Sequence, residues 1–251
     1  RFSAPLIVQM DQSLQENLQL FSADDDPFSR WDAGQRLARQ VLLARAQGGR
    51  DQRVEAALIE AMQQRITAGQ ASDRADLAAL LSLPGMAELE ALQNPVDPLA
   101  LYDAMRSWTA ELGRQLQAPL REVLSLVRHD WPLAWPAGQG GRALTGLAWR
   151  WLAAAGDGEV RREALEAVSG SSMTLARSAL RALQPLDVEE RDQALACFYD
   201  RWQTKPVILD AWFALEASAP RSNGLKRVQE LLEHPRFDPL APNSLRAVLG
   251  G

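Results

Sequence analysis

His129 and His234 are the chain's two histidines, and they lie far apart in sequence. A zinc-binding helix of the H-E-x-x-H type needs its two histidines four residues apart, so that both project from one face, and neither residue has that partner. Cys197 is the only cysteine, which excludes a Cys/His zinc cluster and any intrachain disulfide. Ser169-Gly170-Ser171-Ser172 lacks the G-x-S-x-G pattern of a nucleophile elbow and reads as the cap of the helix that follows. Gly138-Gln139-Gly140-Gly141 has no Lys-Ser/Thr pair and no preceding strand, so it reads as a flexible turn rather than a phosphate loop. Asp24-Asp25-Asp26 lacks the spaced oxygen ligands and distal glutamate of a calcium loop, and reads as an acidic helix cap. His234 precedes Pro235 at a helix end, where a histidine commonly meets the last free carbonyls. No complete catalytic set emerges, and these residues alone assign no reaction.

The elements that would position them are helices. Only Phe2–Val8 reads as extended, with Pro5 before the β-branched pair Ile7 and Val8. From Asp11 onward apolar residues recur at helical spacing. Asp26 is a cap with Pro27 in the first helical position, and the run it starts ends at Gly48-Gly49. Val54, Leu58, Met62 and Ile66 mark a second run, and Ser72 caps a short one through Leu81. Asp97 and Pro98 open the longest periodic stretch, Leu99 to Val127, which Pro119 is expected to break or kink. Asp130–Gly141 is irregular. Further helices are predicted over 142–155, 159–168, 173–183, 188–202, 206–217, 225–233 and 242–249, with Asp157, Ser172, Asp187 and Ser222 at or beside their caps. Helices of this length joined by short turns pair antiparallel. The fold class expected is all-α, a HEAT/armadillo-like superhelix, with residues 1–10 an extended tail and 11–251 the helical-repeat domain.

Composition sets the outer bounds. The chain has 251 residues, 47% hydrophobic and 24% charged, and a net charge of −5. That is a globular balance, and it lacks the basic footprint of a nucleic-acid binder. No apolar run nears the ~20 residues of a membrane span, and no signal peptide opens the chain, so no membrane partner and a cytoplasmic location are expected. Eight tryptophans are many for this length; most fall at helical spacing and read as core, while Trp131 and Trp135 sit in the irregular segment. The start at Arg1 and the Gly250-Gly251 end after a helix-like run point to a piece of a longer protein.

Several strings together resemble the C-terminal helical domain of the bacterial aminopeptidase N family, zinc metallopeptidases of the gluzincin type. They are Phe2-Ser3-Ala4-Pro5-Leu6, then Asp26-Pro27-Phe28-Ser29-Arg30-Trp31-Asp32-Ala33, which is similar to the family's F-x-R-W-[DE]-A. Next come Met173-Thr174 with Ala179-Leu180, and the run from Phe198 and Trp202 through Asp210, Trp212 and Phe213 to Ser218 and Pro220. The last is Pro242-Asn243 with Leu245-Arg246, leading to Val248 and Gly250. They follow the family's order over nearly the whole chain, though residues 50–170 add little beyond helical pattern.

The resemblance implies a division of labour. The parent would remove N-terminal residues from peptides with a zinc-bound water and a glutamate base, both upstream of Arg1. This chain would hold no zinc and no catalytic residue, and would act as a lid and scaffold forming one wall of the substrate chamber. Its partners would be the upstream catalytic and β-sandwich domains and the parent's peptide substrates. On the same reading Asn243 and Arg246 face the chamber, and Arg246 offers a cation to a peptide carboxylate; Ser244 stands where relatives often carry a basic residue. Leu245, Val248 and Leu249 are expected to stay partly exposed or to pack against a second copy. The residues taken without the resemblance also fit a free-standing helical-repeat protein that binds a peptide or partner protein along a concave face.

Overall fold

A computed structural model of the chain describes residues 10–69 and 74–250. Fourteen α-helices and no strand occur among the described residues. Phe2–Val8 and the Ser72 cap lie outside them. The described residues divide into two compact units, 10–69 with 76–105, and 74–75 with 106–250.

In the first unit, α1 (Leu14–Ala23) packs on α2 (Pro27–Ala46) and α3 (Gln52–Ala68). Each start has a chemical cause. Ser13 and Glu16 form a reciprocal capping box on α1, the Ser13 N–H donating to the Glu16 carboxylate at 2.7 Å. The Asp26 carboxylate accepts from the Phe28 N–H at 3.2 Å, with Pro27 in the first position as the sequence predicts. Gly48 ends α2 at φ +76°, a conformation that favours glycine. Phe21, Leu37, Leu42, Leu58, Met62 and Ile66 form the core, and Gly34 leaves room for the Phe21 ring, which a Cβ there would meet at 2.9 Å. The short helices α4 (Arg74–Leu80), of which residues 76–80 belong to this unit, and α5 (Met86–Glu90) follow, and α5 has no counterpart in the sequence prediction. Glu55 is buried, but its carboxylate accepts from Arg45 at 2.8 Å and is held by Arg50 as well. Burial alone would raise its pKa; the hydrogen bonds from Arg50 and Arg45, with their charges, outweigh that and hold it low.

The second unit is a stack of helix pairs. It takes in the later part of α6 (Pro98–Gln115), then α7 (Gln117–Val127), α8 (Gln139–Ala154), α9 (Gly158–Val168) and α10 (Met173–Leu183). After these come α11 (Glu189–Trp202), α12 (Pro206–Ala217), α13 (Gly224–Leu232) and α14 (Pro242–Leu249). Neighbours in sequence pack together, and so do next-but-one neighbours, α8 on α10, α9 on α11 and α12 on α14. These side-by-side pairs, with the sequence neighbours stacked across them, give the arrangement of a helix-pair repeat.

Two expectations change here. The long helix breaks at Leu116 (φ −104°, ψ 18°), not at Pro119. Pro119 falls in the first turn of α7, where a missing N–H forfeits little intrahelical bonding. The glycine run 138–141 is not a flexible turn. Gly138 is the cap of α8, and the next glycines admit close neighbours: a Cβ on Gly141 would lie 2.2 Å from the Asp130 carboxylate, and one on Gly140 would lie 2.7 Å from the Ala75 nitrogen. Arg142 reaches back to the Leu133 carbonyl at 2.6 Å and fixes the segment before the helix. Asp187 stands beside the cap residue of α11, Val188, as predicted, and its carboxylate accepts from Arg191.

Asp157 and Ser172 do cap α9 and α10 as predicted. Burial would raise the Asp157 carboxyl, but the Val160 N–H and the Arg121 guanidinium, 2.6 Å away, keep it below the usual range. Trp108, Trp149 and Trp151 are fully buried, whereas Trp131 is half-buried, its indole N–H donating to Thr145 at 2.9 Å. Trp135 is 77% exposed.

Gly113 on α6 faces the backbone of α8 so closely that a Cβ would sit 1.9 Å from the Trp151 carbonyl oxygen. Gly113→Ala should therefore destabilise the chain by about 3 kcal/mol, the upper end of overpacking effects, measured by urea unfolding. The carboxyls of Glu55 and Asp157 have folded pKa values below their ordinary 4.5 and 3.8. Their stabilisation is complete above those ordinary values and is lost as pH falls through the lowered ones. The urea midpoint should hold between pH 7 and 5 and decline below ~4.5. Glu55→Gln should lower it at pH 7 and flatten that decline.

Candidate functional site

Helix α14 carries the two residues singled out by their resemblance. Pro242 starts it, and one side is fastened inward: Val248 is 3% exposed, and the buried Ser244 hydroxyl donates to the Asp210 carboxylate on α12 at 2.7 Å. The opposite side is open. Asn243 and Arg246 are both exposed, one helical turn apart, with the Arg246 guanidinium 3.5 Å from the Asn243 side-chain oxygen. Arg246 also lies in the last turn, where a cation complements the helix dipole. Of the three apolar residues expected to be exposed here, Leu245 and Leu249 are, at 36% and 59%, but Val248 is covered by its own chain. The Ser244 tie to α12 turns that side of the helix inward and takes Val248 with it.

The two histidines are placed separately. His129 is exposed, its Nε2 3.1 Å from the Asp130 carboxylate and 3.4 Å from the Arg74 guanidinium, and Arg74 also pairs with Asp130. His234 lies edge-on to Tyr199 and Phe213 and tilted against Trp212, with ring centroids 5.4–5.7 Å away. Its Nδ1 accepts from the Arg236 N–H at 3.1 Å, so the side chain does not serve the last helix carbonyls. Burial, and then the charges of Arg227 and Arg236, lower its pKa from 6.5, which leaves a neutral ring at pH 7. This aromatic cluster walls a cleft of about 510 Å³ between α11, α12 and α13. Glu216 and Arg227 on its rim bond to each other at 3.0 Å.

What such an arrangement can do chemically is narrow. Among the described residues no serine, threonine or cysteine is hydrogen-bonded to either histidine, so no activated nucleophile is assembled. The one contact between Ser169 and Cys197, at 3.1 Å, has no base beside it. Nor do three His, Cys, Asp or Glu side chains gather there in a way that would hold a metal ion. No helix among these residues is long and apolar enough to cross a membrane. The exposed side chains can bind and position; Asn243 and Arg246 are of this kind. The Ser244 contact with Asp210 was missed in the sequence, since a buried serine and a surface serine look alike there.

A family model described as a domain of unknown function with ARM repeats (DUF3458_C) matches residues 14–251. Among curated proteins, aminopeptidase N of Caulobacter vibrioides is 32% identical over 250 residues, and aminopeptidase N of Escherichia coli is 28% identical over 259. Each alignment takes in 99% of this chain and 29% of the relative, so the chain spans under a third of the length of the proteins it matches. Among solved structures, aminopeptidase A of Legionella pneumophila, crystallised with aspartic acid, superposes with a TM-score of 0.83 at 22% identity, over 99% of this chain and 30% of that one. At that identity the likeness speaks for the fold. By the extent of the family match and the helix-pair arrangement, this chain belongs to the ARM-repeat family DUF3458_C.

Proposed function

We propose that this chain is the non-catalytic lid and scaffold domain of a zinc aminopeptidase that removes N-terminal residues from peptides, and that it forms part of the wall of the substrate chamber. The observation that carries this is the alignment of 99% of the chain with 29% of proteins named aminopeptidase N. The lack of an assembled nucleophile or a metal-holding cluster among the described residues supports a positioning role for them. Their side chains do not fit a zinc ion, so the metal and its glutamate base belong to the upstream part of the parent, and no step of hydrolysis runs through this chain. Asn243 and Arg246 belong to the proposal as chamber-wall residues, Arg246 offering a guanidinium to a peptide carboxylate. The partners are the upstream catalytic and β-sandwich domains. A cytoplasmic parent is part of the same reading, supported by the single cysteine.

The reading frame that encodes Arg1 should, when followed upstream, encode an H-E-x-x-H helix within a few hundred residues. A start codon immediately before Arg1 would sink the proposal. The isolated chain should neither bind zinc tightly nor cleave an aminoacyl reporter; chelator-sensitive hydrolysis by the chain would overturn it. In the parent, Arg246→Ala should raise KM for peptides about fivefold, the scale of one exposed charge-assisted hydrogen bond, while kcat for a single-residue reporter is unchanged.

A further inference from the structure

Arginines in this chain are, for the most part, engaged. Arg45 and Arg50 share Glu55, Arg221 and Arg227 share Glu216, and Arg121 spans Asp157 and Glu159. Three are different. Arg150 on α8 and Arg177 and Arg181 on α10 have no hydrogen bond or ion pair among the described residues, and all three are exposed. Acid is not scarce: the chain has 32 Asp and Glu against 27 Lys and Arg.

The seam between the two helices brings Arg150 and Arg181 near one another, and Arg177 stands one turn before Arg181 on α10. Gly146 lets α8 approach α10 so closely that a Cβ there would meet the Ser178 hydroxyl at 2.9 Å. One turn beyond that crossing on each helix stand Arg150 and Arg181. Arg177 lies four residues before Arg181, on the same outer stripe as the exposed Thr174. Packed surroundings, and then the charge of Arg181, lower the pKa of Arg150. Two guanidiniums held near one another without a counterion repel, and an oxyanion placed between them would relieve that repulsion.

We propose that this seam is an oxyanion site, made by Arg150, Arg177 and Arg181, that takes the C-terminal carboxylate of a peptide. The choice of a peptide rests on the chamber-wall reading above; the chemistry itself, a planar anion accepting paired N–H bonds from guanidinium forks, is shared by carboxylate and phosphate.

The test titrates the 251-residue chain by calorimetry with N-acetyl-pentaalanine, its C-terminal amide and inorganic phosphate, at low and at 0.5 M salt. The acid should bind at least tenfold more tightly than the amide, and high salt should abolish the difference. Arg150→Gln and the double variant Arg177→Gln/Arg181→Gln should each bring the acid down to the amide's affinity with unchanged thermal unfolding. Arg181→Lys, which keeps the charge and loses the fork, should restore part of it. Equal binding of acid and amide, or acid binding unchanged in the glutamine variants, would overturn the site. Phosphate binding tighter than the peptide acid would overturn the choice of ligand. Because the chain alone is titrated, these failures leave the peptidase reading untouched, and that reading fails separately through the upstream frame or the parent's hydrolysis.

Discussion

Helix α8 is buried along nearly its whole length, and the packing of the second unit follows from what that burial demands. A helix covered on most sides can satisfy its backbone only within itself, so its neighbours must meet it through side-chain shape. They meet it closely. Gly113 on α6 admits the Trp151 carbonyl, Gly141 admits Asp130, and Gly146 admits Ser178. Glycine weakens a helix by roughly 1 kcal/mol relative to alanine. Here that loss is offset by contacts that a methyl group would forbid, and the large indoles of Trp149 and Trp151 fill the space between.

The same closeness explains where the polar chemistry lies. With the interior filled by Leu, Ala and Trp, charged groups are held at the helix ends and along the outer stripes. Where one is drawn inward it comes with its counterions, as Glu55 does with two arginines and Glu216 with two others. These buried clusters fix helix to helix, and they consume the charge that would otherwise be free for ligands. Exposed arginines remain on the outer faces of α8, α10 and α14.

Much of this architecture was legible in the residues. Asp26 before Pro27, Asp157, and Ser172 announce helix starts through local chemistry, and the structure places a cap at each. Leu116 was not legible as a break, since nothing in its side chain differs from its helical neighbours and the adjacent Pro119 drew the assignment to itself. The glycine run at 138–141 signals punctuation in a sequence, whether the cause is a loose turn or a tight approach, because Asp130 and Ala75 are its partners only in three dimensions. Arg181 gives no signal of its own in the sequence; that its neighbour across the seam is another arginine, Arg150, becomes visible only when α8 and α10 are laid together. The Ser244 side of α14 is a similar case, fixed by a contact thirty-four residues away.

The uneven fate of the tryptophans has a spectroscopic consequence. Trp108, Trp149 and Trp151 are sealed from water, while Trp135, with its ring nitrogen donating to Gln139 at 2.9 Å, stands out in solvent. Emission from the chain will therefore be a blue-shifted interior signal overlaid on one red-shifted surface fluorophore. Iodide should quench the red edge selectively, so that anything which comes to rest on the Pro132–Pro136 segment would announce itself as a loss of that quenching, with no label attached.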